Sequence, residues 1–289
     1  MRHNANVMKL NNDEFKKFLQ FTKDRHQVYI NRFINKMPRP WTEDPILNEY
    51  KFCNVYRELD KGTLYFVEQI KNEEMADDAS PLLKAITYRA VNNRDFFEFI
   101  KGIPEMYPEY IVEQAKEYMQ QKGTFVGNAY MAFACTEKGK TKADSLEILM
   151  NWLCDNFGDW NADVFEKAKS LPEVSEALCR IPFIGEFIAY EIICDLFLID
   201  YIPQFDINDW ANVGPGAKPS LDKLCPDHNR HYLEACKIVM AAHNSSDWRH
   251  KPLNLRNIEH SLCEWRKYWR IADGERKGRK YNPTTICVV

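Results

Sequence analysis

The stretch IPFIGEFIAYEI, Ile181–Ile192, joins two helical patterns through a turn that holds one proline and one glycine. Upstream, SLPEVSEALCR repeats its apolar residues at helical spacing, and downstream FIAYEIICDLFLI continues as a second helix. Pro182 lacks a backbone donor and is expected to stop the first helix, while Gly185 is expected to supply a positive φ. The second helix then starts at once, with backbone N–H groups that have no partner inside it and the positive end of its dipole facing outward. Ile184, Gly185 and Phe187 therefore form a candidate seat for one phosphate, read without base specificity.

Helical periods dominate the rest of the chain, and no convincing alternating strand pattern interrupts them, so the expected fold is all-α. A first helix is predicted over Asp13–Lys36, capped by Asn11 and ended by Pro38 and Pro40. Asp44 with Pro45 behind it is a natural helix start, and that helix is predicted to run on through KFCNVYRELDKGTLYFVEQI. The acidic link NEEMADDASP breaks the pattern and places an expected boundary near residue 79, between an N-terminal region, 1–79, and a helical core with a basic C-terminal segment, 80–289. Further helices are predicted near 81–101, 108–121, 144–156, 161–169, 173–180, 186–200, 229–243 and 254–271.

A chain of 289 residues with 45% hydrophobic and 13% aromatic content can bury a sizeable core. No apolar run reaches the roughly 20 residues of a membrane span, and the polar start has no secretory core. The expectation is an untargeted cytoplasmic protein without a membrane partner. Nine cysteines, an odd number with no Cys-x-x-Cys pair, fit a reducing compartment and give no zinc or iron–sulfur pattern. The net charge of −3 argues against a polycation, yet Arg266–Tyr281 is strongly basic. Within it Arg276, Lys277, Arg279 and Lys280 suit a DNA backbone, or simply a solvated tail.

Asp206 lies 21 residues beyond Gly185, in QFDINDW. With that spacing, residues 145–215 resemble the helix-hairpin-helix DNA glycosylase superfamily, which implies a bilobal helical fold and a carboxylate over a flipped nucleotide. The match departs from the pattern at Phe183, where a glycine is usual, and at Phe187, where no lysine is available for a Schiff base. Four segments look like a narrower family: PWTEDPILNEYKFCNVYRELD (40–60), PFIGEFIAYEIICDL (182–196), DINDWANVGPGA (206–217) and NLRNIEHSLCEWRKY (254–268). They resemble the α-glutamyl/putrescinyl-thymine pyrophosphorylases of phages and bacteria, related to the helical domain of some 5-hydroxymethyluracil DNA kinases. That resemblance implies a transferase of thymine hypermodification, which replaces the (pyro)phosphate on a 5-hydroxymethyluracil base in double-stranded DNA with an amino acid or putrescine. The base would be flipped out. The chain has no Gly-x-x-x-x-Gly-Lys-Ser/Thr loop, so the activating kinase is expected to be a separate partner.

For that reaction Asp206 is the expected general base or amine-binding carboxylate, with a turn cap as the alternative, and Asn208 an orienting neighbour. Glu191 and Asp195 share a face of an otherwise apolar helix and need either a polar cavity or buried partners such as Arg57 or Arg180. Arg57 and Lys267 are expected to hold the leaving (pyro)phosphate, with a surface salt bridge from Arg57 to Asp60 or Asp44 as the alternative. His260 shares a helix face with Glu264 and Lys267 and is a candidate proton shuttle. Trp41 and Trp210 are candidate base-stacking residues, or core. No cofactor is certain and the metal is unknown; Mg²⁺ held by Asp60, Asp195 or Glu191 is compatible, but no spacing is diagnostic. A monofunctional glycosylase and a non-catalytic DNA-binding accessory of a base kinase remain the alternatives.

Overall fold

The computed structural model describes residues 8–72, 80–104, 107–127, 133 and 140–281. Among them the regular structure is helical. In chain order the helices are α1 (Asn12–Tyr29), α2 (Pro45–Glu49), α3 (Lys61–Asn72), α4 (Ser80–Val91), α5 (Arg94–Phe99) and α6 (Pro108–Lys122). They continue with α7 (Lys142–Trp160), α8 (Leu171–Leu178), α9 (Glu186–Leu198), α10 (Lys218–Leu224), α11 (Tyr232–Asn244) and α12 (Leu255–Ala272). The chain falls into two compact units, one built from Met1–Asp60 with Trp210–Val289 and the other from Lys61–Asp209. This division is discontinuous in sequence. The acidic link at 73–79 lies outside the described residues.

In the first unit, α1 is capped as expected: Asn11 accepts from the amides of Asp13 and Glu14 at 3.2 and 3.3 Å. Asp44 likewise caps α2, accepting from Ile46 and Leu47 at 2.8 and 2.9 Å. The predicted continuation of α2 is interrupted over 50–60, however, and resumes only as α3. Tyr50 leaves the helix in an extended conformation and makes an isolated antiparallel bridge with Lys280. The Lys51 amide donates to the Arg279 carbonyl at 2.7 Å, and that of Tyr281 to the Glu49 carbonyl at 2.9 Å. Pairing with the C-terminal segment thus overrides helix propensity over 50–56, and only a short 3₁₀ turn follows at Arg57–Leu59. The consequence matters for function, because the extended run carries Cys53, Asn54 and Arg57 to α12.

The loop WANVGPGA fits α12 just as closely. A Cβ on Gly216 would stand 2.4 Å from Cys263 Sγ, while Arg266 Nη1 donates to the Pro215 carbonyl at 2.6 Å. Gly216→Ala is therefore expected to cost about 1–3 kcal/mol by overpacking. Urea unfolding checks this, and combination with Cys263→Ala should recover part of the loss; equal losses in both backgrounds would show that the contact is irrelevant.

In the second unit, α4 and α9 form the centre. Every described residue of α4 except Pro81 is buried, and α9 is buried continuously from Ile188 to Leu196. The turn between α8 and α9 departs from expectation in its backbone. Helix α8 has already ended at Leu178, so Pro182 is not what stops it. The positive φ, 65°, falls on Phe183, the residue that stands in a usual glycine position, whereas Gly185 has φ −90° and caps α9. Phe183 packs edge-on against Phe133 at 5.7 Å. No helix among the described residues is long and apolar enough to cross a membrane.

Candidate functional site

Helix α12 is amphipathic, yet both of its faces are enclosed. Ile258, Leu262 and Trp265 pack as the apolar side. The opposite stripe, Arg256, His260, Glu264 and Lys267, recurs at helical spacing and is covered by α1 and by the extended segment after α2. Arg25 from α1 lies 4% exposed, with Nη2 donating to Ser261 Oγ at 2.6 Å. Ser261 in turn donates to the Asn257 carbonyl at 2.6 Å, and Asn257 Oδ1 accepts the Arg57 amide at 3.1 Å. A continuous chain of hydrogen bonds therefore links Arg25, α12 and Arg57.

Two carboxylates in this cluster are already engaged. Asp60 is ion-paired with Arg57 and accepts the Asn54 amide at 3.0 Å. Glu264 Oε2 accepts from Lys267 Nζ at 3.0 Å and from the Cys53 amide at 3.1 Å. Lys267 also donates to the Lys51 carbonyl at 2.6 Å and lies 4.4 Å from the Phe52 ring centre. His260 is half-buried at its surface, but its Nε2 is enclosed and has no hydrogen-bond partner. Burial first, and then the positive charges of Arg57, Arg25, Arg256 and Lys267, hold its imidazole well below the usual histidine range. Of these cations Arg57 and Lys267 are paired with Asp60 and Glu264, so the excess positive charge is smaller than the four cations alone would give.

That field decides between two ligand classes. Cys53, His260 and Glu264 bring one donor atom each within 4.8 Å of one another, a set that resembles part of a transition-metal site. Four cations within electrostatic reach oppose a divalent ion there, and the Glu264 oxygen is already shared by an ammonium and an amide. The same surroundings favour an anion.

The sequence-predicted residues divide between the units. Arg57, His260 and Lys267 come together under α12. Asp206 belongs to the second unit, where it is exposed and its Oδ1 accepts the Asn208 amide at 2.8 Å; its carbonyl accepts the Asp209 amide at 3.0 Å. This is the turn-capping geometry considered as the alternative. Glu191 and Asp195 are 4% and 0% exposed and face Arg89, which is 2% exposed. Arg89 grips Asp195 with two bonds of 2.5 and 2.6 Å and lies 3.8 Å from Glu191. The pair is an internal ion cluster, with Arg89 and not Arg57 or Arg180 as its cation. All three carboxylates considered for Mg²⁺ are thus ion-paired with an arginine.

At the turn before α9, Ile184 is buried and its amide donates to the Ile181 carbonyl at 3.1 Å, so it does not face a ligand. Gly185 is exposed with open space around its Cα, and Phe187 is 54% exposed. Trp41 is buried, with its Nε1 donating to the Met37 carbonyl at 3.0 Å and the guanidinium groups of Arg32 and Arg39 at 4.8 and 4.7 Å from its ring centre. Its ring is packed, not presented for stacking on a base. Trp210 is half-buried. Arg276, Lys277, Arg279 and Lys280 are exposed, with Lys280 ion-paired to Glu49. Arg25 and Asn257 were not expected from sequence: Arg25 sits among polar residues of α1, and only tertiary packing shows that it is buried against α12.

Comparison with known proteins fits this cluster into a lineage. A family profile described as "5-hmdU DNA kinase, helical domain" matches residues 12–278. The chain belongs to that family. It is also 26% identical over 301 aligned residues to a 5-hmdU DNA kinase of Bacillus phage SP10, an alignment covering 91% of this chain and 47% of the relative. The chain therefore spans about half the length of that kinase. No solved structure matches. The residues matched by the profile include both Arg25 and the polar stripe of α12.

Proposed function

We propose that the protein replaces the phosphate or pyrophosphate on an activated 5-hydroxymethyluracil base in DNA with an amine. The observation that supports this reading best is the convergence of Arg57, His260 and Lys267 at one enclosed, positive place in a member of the 5-hmdU DNA kinase helical-domain family. A kinase acting on the 5-hydroxymethyl group makes a phosphate ester, and the helical domain would act on that activated base. The incoming nitrogen bonds to the C5-methylene carbon, the carbon–oxygen bond breaks, and the electron pair leaves on the phosphate oxygen. The ammonium proton passes to a base. Arg57 and Lys267 exchange their partners Asp60 and Glu264 for the departing anion, and His260 is proposed to take the proton once that anion offsets the cations that otherwise lower its basicity.

In this reading the turn before α9 anchors a backbone phosphate in the manner of a helix-hairpin-helix glycosylase-like fold, through the first turn of α9 and Gly185. The exposed basic residues 276–280 supply non-specific attraction to DNA. Within the second unit, Asp206 and Asn208 are proposed as polar groups able to hydrogen-bond a base or an amine. Glu191 and Asp195 are left out of the chemistry, since their charges are already used by Arg89.

Pyrophosphate or phosphate release from enzymatically activated DNA tests the proposal. Release should depend on an added amine or amino acid, and Lys267→Met should slow it by about 100-fold, the typical loss of one donor to developing negative charge. Release of free base instead would indicate a glycosylase, and release without any amine would indicate simple hydrolysis.

A further inference from the structure

We infer that the cluster under α12 is a seat for one small multiply charged oxyanion of the pyrophosphate class, gripped by Arg25 and Asn257 together with His260. The inference deepens the proposed transferase by giving its leaving group a location, but binding of the anion is measurable without any transfer. Its basis is a set of buried nitrogens left without hydrogen-bond partners among the described residues: certain donors on Arg25 and Asn257, and one ring nitrogen of His260. Arg25 is 4% exposed, and its Nε and Nη1 find no hydrogen-bond partner among the described residues. Asn257 is completely buried with its Nδ2 unpartnered, and His260 Nε2 is enclosed and unpartnered as well.

Buried donors in this state cost free energy unless an acceptor meets them. Here the donors come from two separate elements, α1 and α12, and are tied to each other through Ser261. The bond from Arg25 Nη2 to Ser261 Oγ fixes the guanidinium plane, so Nε and Nη1 are held on two different edges of it, each open to a separate oxygen acceptor. Glu264, the carboxylate that acts on Arg25, is already occupied by Lys267 and the Cys53 amide. Burial lowers the Arg25 pKa to about 10, so the guanidinium keeps its charge at neutral pH. An isolated anion of low charge would gain less from this field than a diphosphate, whose several oxygens can meet donors from both elements at once. A backbone phosphate of an intact duplex is the other source of the same chemistry, but such a seat, with Arg25 and Asn257 so deeply enclosed, favours the small anion.

The test is calorimetric titration of inorganic pyrophosphate into the full chain, in parallel with unmodified duplex DNA. One pyrophosphate per chain should bind, and Arg25→Met should weaken it at least about tenfold, corresponding to about 1.4 kcal/mol or more. Arg276→Gln with Lys277→Gln, on the exposed tail, should leave it unchanged. In the wild-type protein, binding should also shift the His260 imidazole resonances, a readout that does not depend on any variant folding. Absence of pyrophosphate binding, equal weakening by the tail variants, or displacement of pyrophosphate by unmodified duplex would each overturn the assignment. Pyrophosphate binding without amine transfer would sink the transferase alone, whereas transfer without pyrophosphate binding would sink this seat alone.

Discussion

Arg89→Met is expected to destabilise the second unit by about 3–5 kcal/mol. The cause is what the substitution leaves behind. Asp195 is 0% and Glu191 4% exposed, both in the centre of α9, and Arg89 is the cation that reaches them with two bonds of 2.5 and 2.6 Å to Asp195 and a 3.8 Å approach to Glu191. Without it two buried carboxylates lose the guanidinium that faces them, and the link between α4 and α9 is weakened. Arg89 also donates to Asn92 at 3.2 Å and to Thr63 at 3.4 Å, so α3 loosens with them. Replacing both partners, Arg89→Met with Asp195→Leu, should recover much of the loss, because a packed apolar pair has no desolvation penalty. Chemical denaturation reads both variants. A loss below about 1 kcal/mol for Arg89→Met would show that water reaches the pair, and would return Glu191 and Asp195 to the list of groups available for chemistry.

The second large effect is acid lability. His26 and His243 are pushed down to about 4, in both cases chiefly by burial; His250 and Arg25 add to the shift of His26, and Lys23 and Arg25 to that of His243, which Asn244 opposes. His260 is held well below the usual range by burial and its four cations. In the unfolded chain each would titrate near 6.5. Below that value the unfolded state binds protons that the folded state refuses, so stability is fully present above about pH 6.5 and falls as the pH drops towards 4. Each histidine contributes about 1 kcal/mol of loss per pH unit, giving several kcal/mol between roughly pH 6.5 and pH 4.5. Asp24 works in the opposite sense, since burial raises its pKa, but it is one group against three. Urea unfolding at about pH 7 and about pH 5 measures the slope, and His243→Phe should reduce it by about a third. A flat profile would mean that these rings are solvated. Pyrophosphate should flatten the His260 part of the slope by offsetting its neighbours.

Much of the architecture was legible from periodicity and caps. Asn11, Asp44 and the apolar stripes of α9 and α12 announce their helices because local hydrogen bonding and a 3.6-residue repeat are properties of the sequence itself. Where local signals compete with distant ones they failed. The run after Glu49 has helical composition but is drawn out by Arg279 and Tyr281, more than 200 residues away, and that pairing is not written in the segment. The site was half legible for the same reason. Arg57, His260 and Lys267 stood out as chemistry-bearing residues in distinctive segments, and the fold does bring them together. Arg25 and Asn257 stayed hidden, since an arginine and an asparagine on amphipathic helices look solvated until a third element covers them. Glu191 and Asp195 misled in the opposite way: two acids in an apolar helix call for a cation, and Arg89, which supplies it, sits in a helix whose other residues gave no reason to single it out.

The central claim is that an amine ends on the base. Mass spectrometry of nucleosides tests it most directly, using 5-hydroxymethyluracil DNA activated by a base kinase and then incubated with the protein and a mixture of amino acids and polyamines. The account predicts a new nucleoside in which a nitrogen is bonded to the C5-methylene carbon, formed by the wild-type chain and nearly absent with Lys267→Met. An activated nucleoside that survives unchanged, although the protein binds the DNA, would contradict it and leave the chain as a DNA-binding accessory.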